Sequence, residues 1–94
     1  MKIYFSDLAQ KELQDAIYYY DEIMCQLCNE LILEVENAKQ LILSFPMAWS
    51  KIGKNQRKFV LKKFPYMIIY KIYCDRILIA AFAHQHRKPY YYIK

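Results

Sequence analysis

The chain has 94 residues, of which 56% are hydrophobic and 17% aromatic, with ten tyrosines and a net charge of +5. That length supports one hydrophobic core and excludes two ordinary domains, and that much apolar surface excludes disorder for the bulk of the chain. No stretch approaches the roughly 18 uninterrupted apolar residues of a membrane span, and Met1-Lys2-Ile3-Tyr4-Phe5 runs straight into acidic residues, unlike a secretory leader. A single soluble, cytoplasmic domain over residues 1–94 is expected, without contact to a membrane.

The distribution of charge is more informative than its sum. Residues 1–50 hold three basic and eight acidic side chains, and residues 51–94 hold eleven and one, so the halves carry −5 and +10. Such a partition suits a polyanion or an acidic protein surface as partner for the second half, the plain alternative being a solvated basic face. Three cysteines, Cys25, Cys28 and Cys74, are an odd number without the dense spacing of a disulfide framework, so reduced thiols are expected. Cys25 and Cys28 form a C-x-x-C inside a helical stretch, where packing as small buried hydrophobes weighs more than a redox or metal role.

In chain order, Lys2 to Phe5 reads as a short strand, and Ser6-Asp7 supplies a helix cap with an acid in the first turn. Leu8, Ala9, Leu13, Ala16, Ile17 and Tyr20 then make one apolar stripe at helical spacing, to about Glu22. A second stripe, Leu27, Cys28, Leu31, Val35, Ala38, Leu41 or Ile42, and Phe45, stops before Pro46. Two amphipathic helices in succession form an antiparallel hairpin. After Trp49 to Ile52 and a turn at Gly53-Lys54-Asn55-Gln56 come three β-rich segments, Arg57 to Lys63, Tyr66 to Tyr73 and Arg76 to His84. The breaks at Phe64-Pro65 and Cys74-Asp75 are short enough for antiparallel connections. Alternation places Phe59, Leu61, Ile68 and Ile72 under the helices and Lys58, Lys62 and Lys71 on the open side. The expected fold class is α+β: an N-terminal strand and an antiparallel helical hairpin packed on an antiparallel β-sheet.

Three segments carry a resemblance: Glu12-Leu13 with Ala16-Ile17-Tyr18-Tyr19-Tyr20, then Glu34-Val35-Glu36-Asn37-Ala38, and above all the second half. There Arg57-Lys58-Phe59-Val60-Leu61 leads to Phe64-Pro65-Tyr66-Met67-Ile68-Ile69-Tyr70, and Ile77 to Ala83 is followed by His84, Arg87, Lys88, Pro89 and Tyr91. The pattern resembles the RelE/ParE toxin superfamily, in particular the plasmid stabilisation, ParE-like branch of type II toxin-antitoxin systems. The resemblance implies the fold just described, bacterial growth inhibition, and a cognate antitoxin protein that neutralises the toxin in an oligomeric complex. No cofactor and no metal is implied. Relatives like ParE poison DNA gyrase, whereas relatives like RelE cut messenger RNA on the ribosome.

If the chain were a nuclease of the second kind, the resemblance points to Arg87 and Tyr91 on the tail, with His84 as a proton-transfer group. Metal-free attack of a ribose hydroxyl on phosphate needs such groups, with cations at the developing charge. Arg57, Lys58, Lys62, Lys63 and Lys88 are the candidates for binding nucleic acid or the target. Each has a plain alternative: lysines can solvate a sheet, Tyr91 can pack the tail, and His84 can end a strand. RNA-cleaving relatives often carry cations at the positions of Met67 and Val60, and the loss of both favours the gyrase branch. A nucleic-acid-binding module stacking bases on Tyr66, Tyr70, Tyr73 and Tyr90 to Tyr92, and a decayed toxin, are the remaining alternatives.

Overall fold

The computed structural model describes residues 1–85. Strand β1 (Lys2–Phe5) is followed by helices α1 (Asp7–Ile23) and α2 (Cys25–Ser44), then by β2 (Ser50–Ile52), β3 (Gln56–Val60), β4 (Tyr66–Ile72) and β5 (Arg76–His84). The sheet order is β1-β5-β4-β3-β2. Pairing is antiparallel from β2 to β5, while β1 lies parallel to β5 with Lys2 opposite Arg76 and Phe5 opposite Ile79. The parallel edge follows from the connection. The chain leaves β1, makes the whole hairpin on one face, and returns through the meander, ending beside its own start.

Local chemistry sets the helix ends. The Ser6 hydroxyl accepts the Ala9 N–H at 3.0 Å and donates to the Ala80 carbonyl at 2.8 Å, so one side chain starts α1 and ties it to β5. Met24, in extended conformation, both ends α1 and precedes α2, its N–H returning to the Tyr20 carbonyl at 2.8 Å. A single extended residue makes the hairpin corner, without glycine or proline. At the far end, Phe45 closes α2 with its N–H on the Leu41 carbonyl at 2.9 Å and a non-helical φ of −136°.

The core lies between the hairpin and one sheet face. Ala9, Ala16, Leu31, Val35, Ala38 and Ile42 pack on Leu61, Ile68, Tyr70, Ile77, Ile79 and Phe82. The predicted stripes hold with two exceptions, Leu8 and Phe45, which are both exposed. Leu8 sits in the first turn of α1, outside the line from Ala9 through Leu13 and Ala16, and Phe45 has already left the helix. Of the alternatives Leu41 and Ile42, Ile42 is the buried one. A smaller cluster, Ile69, Ala81 and Ala83 with Ile52 and Met67 against it, occupies the opposite sheet face.

The strands depart from expectation in the parallel pairing of β1, in Gln56 joining β3 and Tyr73 falling outside β4, and most of all at the end of β3. The segment expected as strand from Arg57 to Lys63 stops at Val60, so Lys62 is not on the open face. Leu61 turns into the core and closes the connection with its N–H on the Tyr66 carbonyl at 3.0 Å. The N–H groups of Lys62 and Lys63 are then taken by the carboxylate of Glu34 on α2. A helix side chain has captured donors that a longer strand would have used.

Candidate functional site

The open sheet face is built from the residues that alternate away from the hairpin. Lys58 on β3 stands opposite Ile69 on β4, which faces Ala81 on β5; the next row is Val60, Met67 and Ala83. The middle of this face is thus apolar, with Lys58 and Lys71 at its sides. At the β1 edge, Lys71 pairs with Leu78, which pairs with Tyr4, and Lys2 pairs with Arg76.

His84 does not join these lysines. It pairs with Tyr66, their rings meeting edge to face at 5.1 Å, and Tyr66 stacks on the core residue Phe82 at 4.7 Å. With Glu12, Asp15 and Tyr19 of α1, these three line a cavity of about 190 Å³ on the helical side. The sheet therefore separates His84 from Lys58. Arg87, Lys88 and Tyr91 lie outside the described residues, as do Tyr90 and Tyr92.

Arg57 alternates to the helical side. Its guanidinium donates to the carbonyls of Trp49 at 2.7 Å and Met47 at 3.2 Å and touches the Met47 sulfur at 3.7 Å. Tyr66 and Tyr70, proposed for base stacking on the basic face, also lie on the helical side. Tyr70 is fully buried, its hydroxyl donating to the Pro46 carbonyl at 2.8 Å, and burial pushes its pKa up to about 12 against a weaker lowering by Arg57. Strand alternation counted from Ile68 separates them from the lysines. Of that tyrosine set, Tyr73 is exposed, and Tyr4, which the sequence reading passed over, joins it.

Lys62 and Lys63 line a groove of about 340 Å³ along α2 with Leu33, Asn37, Leu41 and Phe59. The helical residues recur every fourth position, which aligns them on one stripe, and Leu33 is 69% exposed. Glu34, at the groove wall, holds the loop that carries both lysines. A carboxylate facing two backbone donors far along the chain has no local signature in the sequence.

Cys28 is buried while Cys25 and Cys74 are exposed. Burial, then the neighbouring charges of Asp21 and Cys25, raises the Cys28 thiol, which keeps it protonated and unreactive. Among the described residues, no group of three or more His, Cys, Asp or Glu side chains is arranged to hold a metal ion. None of their helices is long and apolar enough to cross a membrane.

An N-terminal strand, a two-helix hairpin on one face of a five-stranded sheet, and an open second face define a small α+β domain of the kind the resemblance implies. The profile of the family described as "ParE toxin of type II toxin-antitoxin system, parDE" matches residues 3–89. A solved structure, "Chromosomal ParDE TA system from P. aeruginosa", is similar with a TM-score of 0.70 at 16% identity, over 89% of this chain and 95% of that one. No curated protein matches the sequence. The chain belongs to the ParE toxin family of type II toxin-antitoxin systems. Membership implies a cognate antitoxin as partner.

Proposed function

We propose that this toxin acts in the cytoplasm and arrests growth by inhibiting DNA gyrase, not by cleaving RNA. The observation that carries the reading is the apolar row Val60, Met67 and Ala83 across the open face. A metal-free phosphate-cleaving site needs convergent cations and a proton-transfer group. Of the described candidates, Lys58 on the open face is divided by the sheet from His84, the proton-transfer candidate, and Arg57 on the helical side is held by the Met47 and Trp49 carbonyls. A protein-binding surface, in contrast, tolerates an apolar centre with a charged rim.

The antitoxin is proposed to dock in the groove along α2. Its stripe at helical spacing, apolar at Leu33 and Leu41 with Asn37 between them, suits an amphipathic segment, and Lys62 and Lys63 suit acidic residues on that segment.

Supercoiling by purified gyrase, with no RNA present, is the deciding assay. Inhibition by the purified toxin, reversed by the protein encoded beside it, is expected. Normal supercoiling at high toxin concentration, together with cleavage of messenger RNA on ribosomes, would overturn the gyrase reading in favour of the nuclease one.

A further inference from the structure

We infer that the β1 edge of the open sheet face is a binding site for single-stranded nucleic acid, with Tyr4 and Tyr73 as base-stacking platforms and Lys2, Lys71 and Arg76 as phosphate contacts. Tyr4, Tyr73, Arg76 and Leu78 line a shallow concavity of about 420 Å³. Tyr4 and Tyr73 are 47% and 41% exposed, so both rings are accessible from solvent at one depression on the sheet. The register puts Lys2 directly opposite Arg76, and Lys71 in the row of Leu78 and Tyr4, so three cations surround the rings.

The geometry favours nucleic acid over other anions. A small anion needs a charged pocket but no exposed rings. Bases have two π-faces and phosphates at regular intervals, and proteins without sequence preference bind single strands through this combination of rings and cations. The guanidinium of Arg76 already lies 5.1 Å from the Tyr73 ring centroid, which stiffens both groups in the orientation a stacked base and its phosphate would meet. Asp75 contacts Arg76 at 3.7 Å between exposed groups, weak enough to yield to a phosphate. A duplex, whose bases are stacked internally, offers nothing to the rings. The site lies at the opposite end of the molecule's open face from the Val60 row and stands independently of the gyrase reading.

Fluorescence anisotropy of the purified full chain with a labelled oligothymidylate of about 12 nucleotides, and with the matching oligouridylate, tests the site. Binding of at least one single strand at low salt is expected, stronger than binding of a duplex of equal length. With about 0.7 counterions released per phosphate neutralised, three cations give a slope of log affinity on log salt near −2. Tyr4→Ala and Tyr73→Ala are each expected to weaken binding about tenfold, and Arg76→Gln to flatten the salt slope. Lys51→Gln, on β2 at the far edge of the sheet, should leave affinity within about twofold. These side chains are exposed, so unchanged thermal melts would show that the variants fold. No binding to either single strand at low salt, equal binding to duplex, or affinity indifferent to both tyrosine substitutions would overturn the proposal. Supercoiling inhibition, measured on the same variants, reports separately on the gyrase reading.

Discussion

Arg57 on β3 and Tyr70 on β4 are direct cross-strand partners whose side chains both end on the same loop: the guanidinium on the Met47 and Trp49 carbonyls, the phenol on the Pro46 carbonyl. Together they fasten the segment between α2 and β2 over the end of the sheet. Trp49 completes the clamp, its ring meeting Phe59 at 4.5 Å. A residue that sequence placed among target-binding cations is thus held by backbone oxygens, where a planar fork with several donors is better suited than an ammonium.

Tyr70→Phe is therefore expected to cost about 1 kcal/mol at neutral pH, through loss of one hydrogen bond and an unsatisfied Pro46 carbonyl. The pH dependence has a definite sign. The phenol has an ordinary value of 10.0 and is raised to about 12 in the fold. Its contribution to stability is fully present below pH 10 and is lost as pH rises through 12. Urea melts across the alkaline range should show wild type losing its advantage over Tyr70→Phe there. A constant difference between the two proteins would contradict the assignment.

Arg57→Ala should destabilise by roughly 1.5 to 3 kcal/mol, because two carbonyls lose a charged donor. Arg57→Lys should restore less than half of that, since one ammonium cannot reproduce the fork. In a double-mutant cycle with Tyr70→Phe, a coupling above about 0.5 kcal/mol is expected, both residues ordering one loop. Strict additivity would show that they act on separate features.

Strand β5 has 9 residues and its edge partner β1 only 4. Beyond Ile79 the outer edge of β5 is met by side chains of the helical layer instead: the Ser6 hydroxyl on the Ala80 carbonyl, and the Glu12 carboxylate on the Phe82 N–H at 3.0 Å. Glu12→Ala should cost about 1 to 3 kcal/mol, with Glu12→Gln, which keeps an acceptor, costing less. Ser6→Ala removes a helix cap and a strand contact together, whereas Ser6→Thr keeps both. Chemical denaturation that finds Glu12→Ala as stable as wild type would sink this account.

Glu34→Ala should release the loop after β3. Hydrogen exchange read at the amides of Lys62 and Lys63 is the direct measurement, with acceleration of about tenfold or more expected there and little change in β4 or β5. Because the bonds are at the surface, the loss of global stability should stay near 1 kcal/mol.

Leu33→Asp addresses the groove along α2. The side chain is largely exposed, so folding should be unaffected, but an acid on the apolar stripe should weaken antitoxin binding by about 2 kcal/mol or more. The expected phenotype is toxicity that co-expressed antitoxin no longer rescues. Full rescue, with unchanged affinity by calorimetry, would move the antitoxin elsewhere.

Periodicity and caps were legible in the sequence because they depend on neighbours along the chain. The stripe from Ala9 to Tyr20, the Ser6 cap, the end of α2 before Pro46 and the placement of Ile68 and Ile72 under the helices all follow from spacings of three, four or two residues. The same local order carries the family likeness in the segment from Phe64 to Tyr70. Tertiary structure decided whatever depends on side chains meeting across long stretches of chain. Glu34 reaches donors at Lys62 and Lys63, which ends β3 early and moves Lys62 off the sheet face. Tyr66 and Tyr70 pass under the helices while Tyr4 and Tyr73 line one concavity on the opposite face. His84 and Lys58 fall on opposite sides of one sheet, a separation set by register and pleat together and invisible in a list of candidate residues.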